Sequence, residues 1–389
     1  MTRHDHRLPL VASHCYPQCG VTIVRSIALV QTHRKMSMLN LKIRFRTLIA
    51  VTAVLGFTAV AAADPMFAGL KLLSLDTAVN EKIDVAIWYP TATIAREQNL
   101  GPFTMSVALD APFSSIASTE STAATARPLI MLSHGTGGNS MTHHELASAL
   151  ARSGYIVAAL THPGDNFRDR SMVGTPQYFS ERPRQVSRVI DALLANTTWK
   201  PRIDAARIGF LGHSAGGMTG LALAGATPSI AEAVRHCAAD YESDSWFCGV
   251  SGSKEKTIEN AKRTEYMPLI ANSLDARIRA AALLAPVGAF FTETELKKIT
   301  IPVRVVVAGQ DAVLIPRFHA VYVGRSVPNA EVVTSDAGGH FTLVSKLNFD
   351  PVAINGAQLN QDPPGFDRAA AISDAAKALP VWFDRALAK

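Results

Sequence analysis

The 389-residue chain predicts an α/β architecture, a mostly parallel central sheet with helices on both faces. Three observations lead there. Short apolar runs of strand length recur through residues 64–389. Stretches with apolar residues at helical spacing separate them. Gly-rich turns follow two of the runs, where a strand would hand over to a helix.

The elements follow in chain order. Ile83–Tyr89 (IDVAIWY) reads as an early strand, and residues 92–126, rich in Ala, Ser and Thr, read as loop with at most one short strand. Pro128–Ser133 is an apolar run that enters a glycine turn. His143–Arg152 places Leu146 and Leu150 on one helical face, and Tyr155–Leu160 is a buried strand. Ser180–Leu194 is helical, with Val186, Val189, Ile190 and Leu193 in register. Arg207–Leu211 is a strand followed by an Ala/Gly-rich helix. Residues 227–275 break this alternation and read as a cap-like insertion. Strands resume at Ile278–Leu284, Val303–Val307 and Glu331–Val333, and Phe366–Leu387 closes the chain as a helix.

With 48% apolar and 18% charged residues, the composition excludes a disordered chain or a disulfide-dense miniprotein. The net charge of +6 invites a nucleic-acid reading, but its distribution removes it. Residues 1–63 hold eight basic side chains against one acidic. The remaining chain holds 30 against 31. From Met36, a basic stretch (Lys42, Arg44, Arg46) precedes the apolar run Leu48–Val60 and the small residues Ala61–Ala63. That is the pattern of a secretory signal peptide cleaved near Ala63. The run is short for a membrane span, so no stable span is expected after cleavage. Residues 1–35 read as a doubtful extension before a start at Met36 or Met38, and Cys15 and Cys19 within them are a weak metal signal. In an oxidising compartment the remaining pair, Cys237 and Cys248, is expected to form a disulfide, with two buried thiols as the alternative.

The chemistry centres on Gly212-His213-Ser214-Ala215-Gly216, a G-x-S-x-G pentapeptide between a strand and a helix. In such an elbow the glycines at 212 and 216 remove side chains that would collide, and the serine is lifted above the sheet. A serine hydroxyl needs a base. Asp311 follows the Val303–Val307 strand and His340 lies in the Gly-flanked loop after Glu331–Val333, giving the order Ser, acid, His. Asp336 is the alternative acid and reads as a turn residue. His319 is the alternative base and reads as a surface residue. Oxyanion donors are expected from the backbone N–H groups of Thr136, in the Gly135–Gly138 loop, and of Ala215. Gly135 and Gly137 let that backbone approach a carbonyl. The loop lacks the third glycine of a dinucleotide fingerprint, and His143-His144-Glu145 lacks the second histidine of H-E-x-x-H. His143 and His144 therefore read as exposed polar residues, and neither cofactor nor metal is expected.

On these residues the chain resembles α/β-hydrolases of the bacterial dienelactone-hydrolase-like group and the related platelet-activating-factor acetylhydrolases. The matching stretches span nearly all of 83–387. They include VAIWYPT, LSHGTGGN, RPRQVSRVIDAL, FLGHSAGG, IPVRVVVAGQDAVLIP and AGGHF. The resemblance implies an α/β-hydrolase fold and a Ser214/Asp311/His340 triad. Dienelactone hydrolases proper carry Cys at the nucleophile, where this chain has Ser. The expected substrate is a small-molecule or lipid-like ester with a small to medium acyl group. A polyester or cutin-type depolymerase with the same triad is the alternative, and a non-catalytic binding module is the alternative of another class. Tyr241, Trp246 and Phe247 in the insertion, and Asp165, Asn166 and Phe167 after Leu160, are expected to line the pocket or its rim.

Overall fold

The computed structural model describes residues 66–114, 126–250, 252–350 and 358–388. All of them fall in a compact unit spanning 62–389. The signal-peptide reading, its cleavage near Ala63, and Cys15 and Cys19 lie outside the described residues. Among the described residues no helix is long and apolar enough to cross a membrane.

Among the described residues ten strands form one sheet: β1 (Phe67–Asp76), β2 (Lys82–Thr91), β3 (Arg96–Leu100), β4 (Phe103–Leu109), β5 (Arg127–Ser133), β6 (Ile156–Leu160), β7 (Ile203–His213), β8 (Ile278–Leu284), β9 (Val303–Ala308) and β10 (Glu331–Ser335). Their spatial order is β10-β9-β8-β7-β5-β6-β2-β1-β4-β3. From β6 to β10 every neighbouring pair is parallel, and β2 joins β6 antiparallel. The fold is that of an α/β-hydrolase.

Side chains of the central strands alternate between two cores, as the pleat requires. In β5, Leu129 and Met131 enter one core and Ile130 and Leu132 the other; in β7, Phe210 and Leu211 divide the same way. The first core is covered by α2 (Pro176–Ala195) and α3 (Ala215–Leu223) through Val186, Val189, Ile190, Met218 and Leu221. The second is covered by α1 (His144–Arg152) and α9 (Arg368–Ala386) through Leu146, Leu150, Leu379 and Phe383.

Segment 227–275 carries α4 (Ile230–Asp240), α5 (Ser245–Gly249) and α6 (Lys254–Ala261). The short helices α7 (Glu293–Leu296) and α8 (Ala320–Ser326) follow. The β3–β4 hairpin takes up residues 96–109 of the loop expected over 92–126, two strands where at most one was expected. β3 (REQNL) lies on the sheet edge with Arg96, Glu97 and Asn99 exposed, so it carries no apolar alternation by which a sequence reveals a strand. β1, for which no element was expected, pairs along its whole length with β2.

Candidate active site

The site is built where β5 and β7 lie side by side, with Ser133 paired to Gly212. β7 ends at His213 and α3 begins at Ala215, leaving Ser214 alone to make the turn, at φ 55° and ψ −116°. Positive φ is costly for a residue with a Cβ. Packing enforces it: a Cβ on Gly212 would lie 2.3 Å from the Gly216 carbonyl oxygen, and one on Gly216 would lie 2.0 Å from that of Ser133. The Ser214 N–H is tied to the Leu284 carbonyl at 2.9 Å.

The structure brings Ser214, His340 and Asp311 together. His340 Nε2 lies 3.0 Å from Ser214 Oγ, and His340 Nδ1 lies 2.7 Å from Asp311 Oδ2. Since the Asp311 carboxylate only accepts, Nδ1 carries the proton and Nε2 is free to accept the serine's. Asp311 Oδ1 accepts the N–H groups of Val313 at 2.8 Å and Leu314 at 2.7 Å, which fixes the carboxylate. The acid that meets His340 is thus Asp311, not Asp336, whose carbonyl accepts from Gln310. His213 donates from Nε2 to the His340 carbonyl at 2.9 Å. Burial, with the neighbouring His340 and His143 adding to it, holds the His213 imidazole well below its ordinary pKa, and therefore neutral. This arrangement is able to move a proton from the Ser214 hydroxyl to an oriented imidazole.

The Thr136 loop sits beside it. A Cβ on Gly135 would be 3.2 Å from the Ser214 Cβ, so the glycine permits the close approach. Thr136 Oγ1 is 2.6 Å from the Tyr178 hydroxyl, and the Gly137 N–H, at φ 73°, donates to Asp165 Oδ1 at 2.8 Å. Ala215 is the first residue of α3, and its N–H is one of the four that a helix start leaves without an intrahelical acceptor.

Several expectations need correcting. His319 is fully buried rather than on the surface: its Nδ1 accepts the Gly288 N–H at 3.1 Å and its Nε2–H donates to Asp244 Oδ2 at 2.8 Å. His143 and His144 are also buried. His143 donates to the Leu343 carbonyl at 2.8 Å, and His144 packs edge-on to Phe103; burial pulls both imidazoles down to about 4. His143 meets the loop that follows His340 and His144 meets β4, placements that the bare sequence does not reveal. Asp165 and Asn166 are buried supports rather than rim residues, whereas Phe167 is exposed.

The insertion contains the Cys237–Cys248 disulfide. Tyr241 donates to the Gly252 carbonyl at 2.6 Å, and Phe247 packs edge-on against Phe290 and His319. Trp246 is partly buried against the first core. Between the two cysteines, Asp244 accepts from His236 and His319, both at 2.8 Å. Burial alone would raise the Asp244 carboxyl, but those two hydrogen bonds outweigh it and hold it at about 2. Among the described residues two clusters have metal-like spacing, His236/Cys237/Cys248 and His236/Asp244/His319. Neither donor set fits. The sulfurs of the first are joined to each other, and His319 Nε2 in the second carries a proton because Nδ1 accepts from Gly288.

A family model described as the alpha/beta hydrolase family matches residues 129–354. Among solved structures, a ferulic acid esterase from Streptomyces cinnamoneus superposes with a TM-score of 0.54 at 20% identity, covering 85% of this chain and 92% of that one. A puromycin-hydrolyzing peptidase of Mycobacterium tuberculosis gives 0.47 at 11% identity, covering 82% of this chain and 39% of that one. No curated protein matches in sequence. With more than half of its length matched by the family model, the chain belongs to the alpha/beta hydrolase family.

Proposed function

We propose that the chain is an exported serine hydrolase that cleaves carboxylic esters of small to medium acyl groups through an acyl-enzyme on Ser214. The observation that carries the reading is the hydrogen-bonded line from Ser214 Oγ through His340 to Asp311, placed at a strained strand-to-helix turn. In this reading His340 Nε2 takes the Ser214 proton as Oγ attacks the ester carbonyl. Asp311 holds the tautomer and stabilises the imidazolium. The N–H groups of Thr136 and Ala215 receive the oxyanion, a contribution of roughly 3–4 kcal/mol per donor. The imidazolium then protonates the departing alcohol. Water, deprotonated by the same His340, releases the acid and restores Ser214.

Within the family, the Trp-Tyr-Pro strand and the R-P-x-x-V-S-R-V helix favour the dienelactone-hydrolase-like group, with Ser in place of its Cys. Export is supported by the basic and apolar pattern of residues 36–63 and by a disulfide that suits an oxidising compartment. The test is labelling with a fluorophosphonate probe, Ser214→Ala serving as control, beside a chain-length series of p-nitrophenyl esters. Labelling at Ser214 with fastest turnover of short to medium acyl chains is expected. An unlabelled wild type overturns the reading.

A further inference from the structure

Beneath the Thr136 loop lies a guanidinium that the reaction above does not use. Arg182, in the second turn of α2, is 0% exposed, and so is its ion-pair partner Asp165. Charges this deep are tolerated only when paired and fully hydrogen-bonded. Arg182 meets that condition with four acceptors from three separate segments. Its Nη1 donates to Asp165 Oδ2. Nη2 donates to Ser133 Oγ at 3.1 Å and to the His134 carbonyl. Nε donates to Thr219 Oγ1 at 3.1 Å.

Two of these contacts continue to the segments beside Ser214, and a third is braced from α2. Thr219 Oγ1 donates to the Ala215 carbonyl at 3.0 Å, one turn back at the start of α3. Asp165 uses its other oxygen to accept the Gly137 N–H at 2.8 Å. That commits the Gly137 N–H, next in the chain to Thr136, to the carboxylate. Ser133 Oγ, while accepting from Arg182, donates to His162 Nε2 at 2.8 Å, and His162 Nδ1–H is held by Gln185 Oε1 at 2.8 Å. One guanidinium–carboxylate unit therefore binds residues 133–137 and 215–219, the two segments that carry the proposed oxyanion donors.

A buried ion pair is often no more stabilising than apolar side chains of the same volume. What it adds here is a rigid fork with fixed angles, which an apolar pair lacks. We propose that Arg182, with Asp165, is a positioning residue that sets the relative placement of the Thr136 and Ala215 N–H groups, and so controls transition-state stabilisation without touching the substrate. This rests on the ester-hydrolase reading of Ser214.

The experiment compares Arg182→Lys, Asp165→Asn, Thr219→Val and Thr219→Ser with wild type. Three quantities are read: kcat and KM on p-nitrophenyl butyrate, the affinity for a trifluoromethyl ketone whose Ser214 adduct carries an oxyanion, and thermal melting. Displacing a donor that is worth about 10²–10³-fold when deleted should lower kcat about 10–100-fold in Arg182→Lys and Asp165→Asn, with KM changed less than about threefold. Affinity for the ketone should fall by the same factor as kcat/KM. Thr219→Val should lose about tenfold, and Thr219→Ser, which keeps the hydroxyl, should restore it. A role in stability alone would lower melting temperature without this matched loss. The proposal falls if folded Arg182→Lys keeps kcat within about twofold, or if kcat drops while ketone affinity does not. If Arg182→Lys does not fold, the Thr219 pair decides: equal kcat in the valine and serine variants overturns the proposal. Absence of phosphonate labelling in wild type overturns the hydrolase reading and this proposal together. Labelled wild type with unaffected variants overturns this proposal alone.

Discussion

Replacing Gly216 by alanine tests whether the elbow's packing is what holds the reaction geometry. The new Cβ would stand 2.0 Å from the Ser133 carbonyl oxygen and 3.0 Å from that of His134. An unstrained contact needs roughly 3.5 Å, so α3 and the end of β5 must part by on the order of 1.5 Å. Both obstructing atoms are backbone, and no side chain can rotate aside. The Ala215 N–H moves with α3, whereas an oxyanion donor works only at roughly 2.7–3.1 Å. Loss of that donor predicts a fall in kcat of about 10²–10³-fold, and overpacking predicts a loss of about 1–3 kcal/mol in stability. Initial rates on p-nitrophenyl butyrate and urea unfolding measure the two. Gly220→Ala is the control: in the same helix, its Cβ would meet side-chain atoms of Phe210 at 2.6 Å and Leu283 at 2.7 Å. It should lose comparable stability while kcat stays within about twofold. Near-normal kcat in Gly216→Ala, or an equal loss in Gly220→Ala, would refute the reasoning.

Two further outcomes follow from features away from the serine. Cys237 and Cys248 are 11 residues apart, so removing their bridge by Cys237→Ser with Cys248→Ser, or by reduction, should lower stability by about 3 kcal/mol; an unchanged unfolding midpoint under reductant would contradict this. His143 and His144 are held at about 4 and His134 at about 3, with burial as the main cause in each. Between pH 6.5 and 4 the unfolded chain binds protons that the folded chain refuses. Stability should therefore be full above pH 6.5 and fall on acidification, by up to about 1.8 kcal/mol per imidazole from pH 7 to 5. A urea midpoint that is flat or rises toward pH 5 would contradict it.

The serine, acid and histidine were legible because each sits at a strand end in a short loop, where the order of elements alone assigns an edge of the sheet. The residues beneath them were not. Arg182 and Arg184 are near neighbours on one helix, yet Arg182 is fully buried while the Arg184 side chain is half exposed. The difference lies in acceptors at positions 133, 134, 165 and 219, which only the folded chain assembles. His319 was misplaced for the same reason: its partners are a backbone N–H at Gly288 and a carboxylate at Asp244. The β3 edge strand escaped because it buries too little apolar surface to leave an alternating pattern.

The anchoring of Asp244 bears on attempts to redesign the enzyme. Its carboxylate receives the Ile315 N–H as well as His319, only a few residues beyond Asp311, whose own carboxylate caps Val313 and Leu314. Two acids, one from the insertion and one from the central domain, share the same short stretch of backbone. Trimming residues 227–275 would therefore remove the acceptor that holds that stretch and leave His319 with a buried, unanswered N–H. A shortened variant has to supply a replacement acceptor at that point before any change in activity can be credited to the loss of the insertion itself.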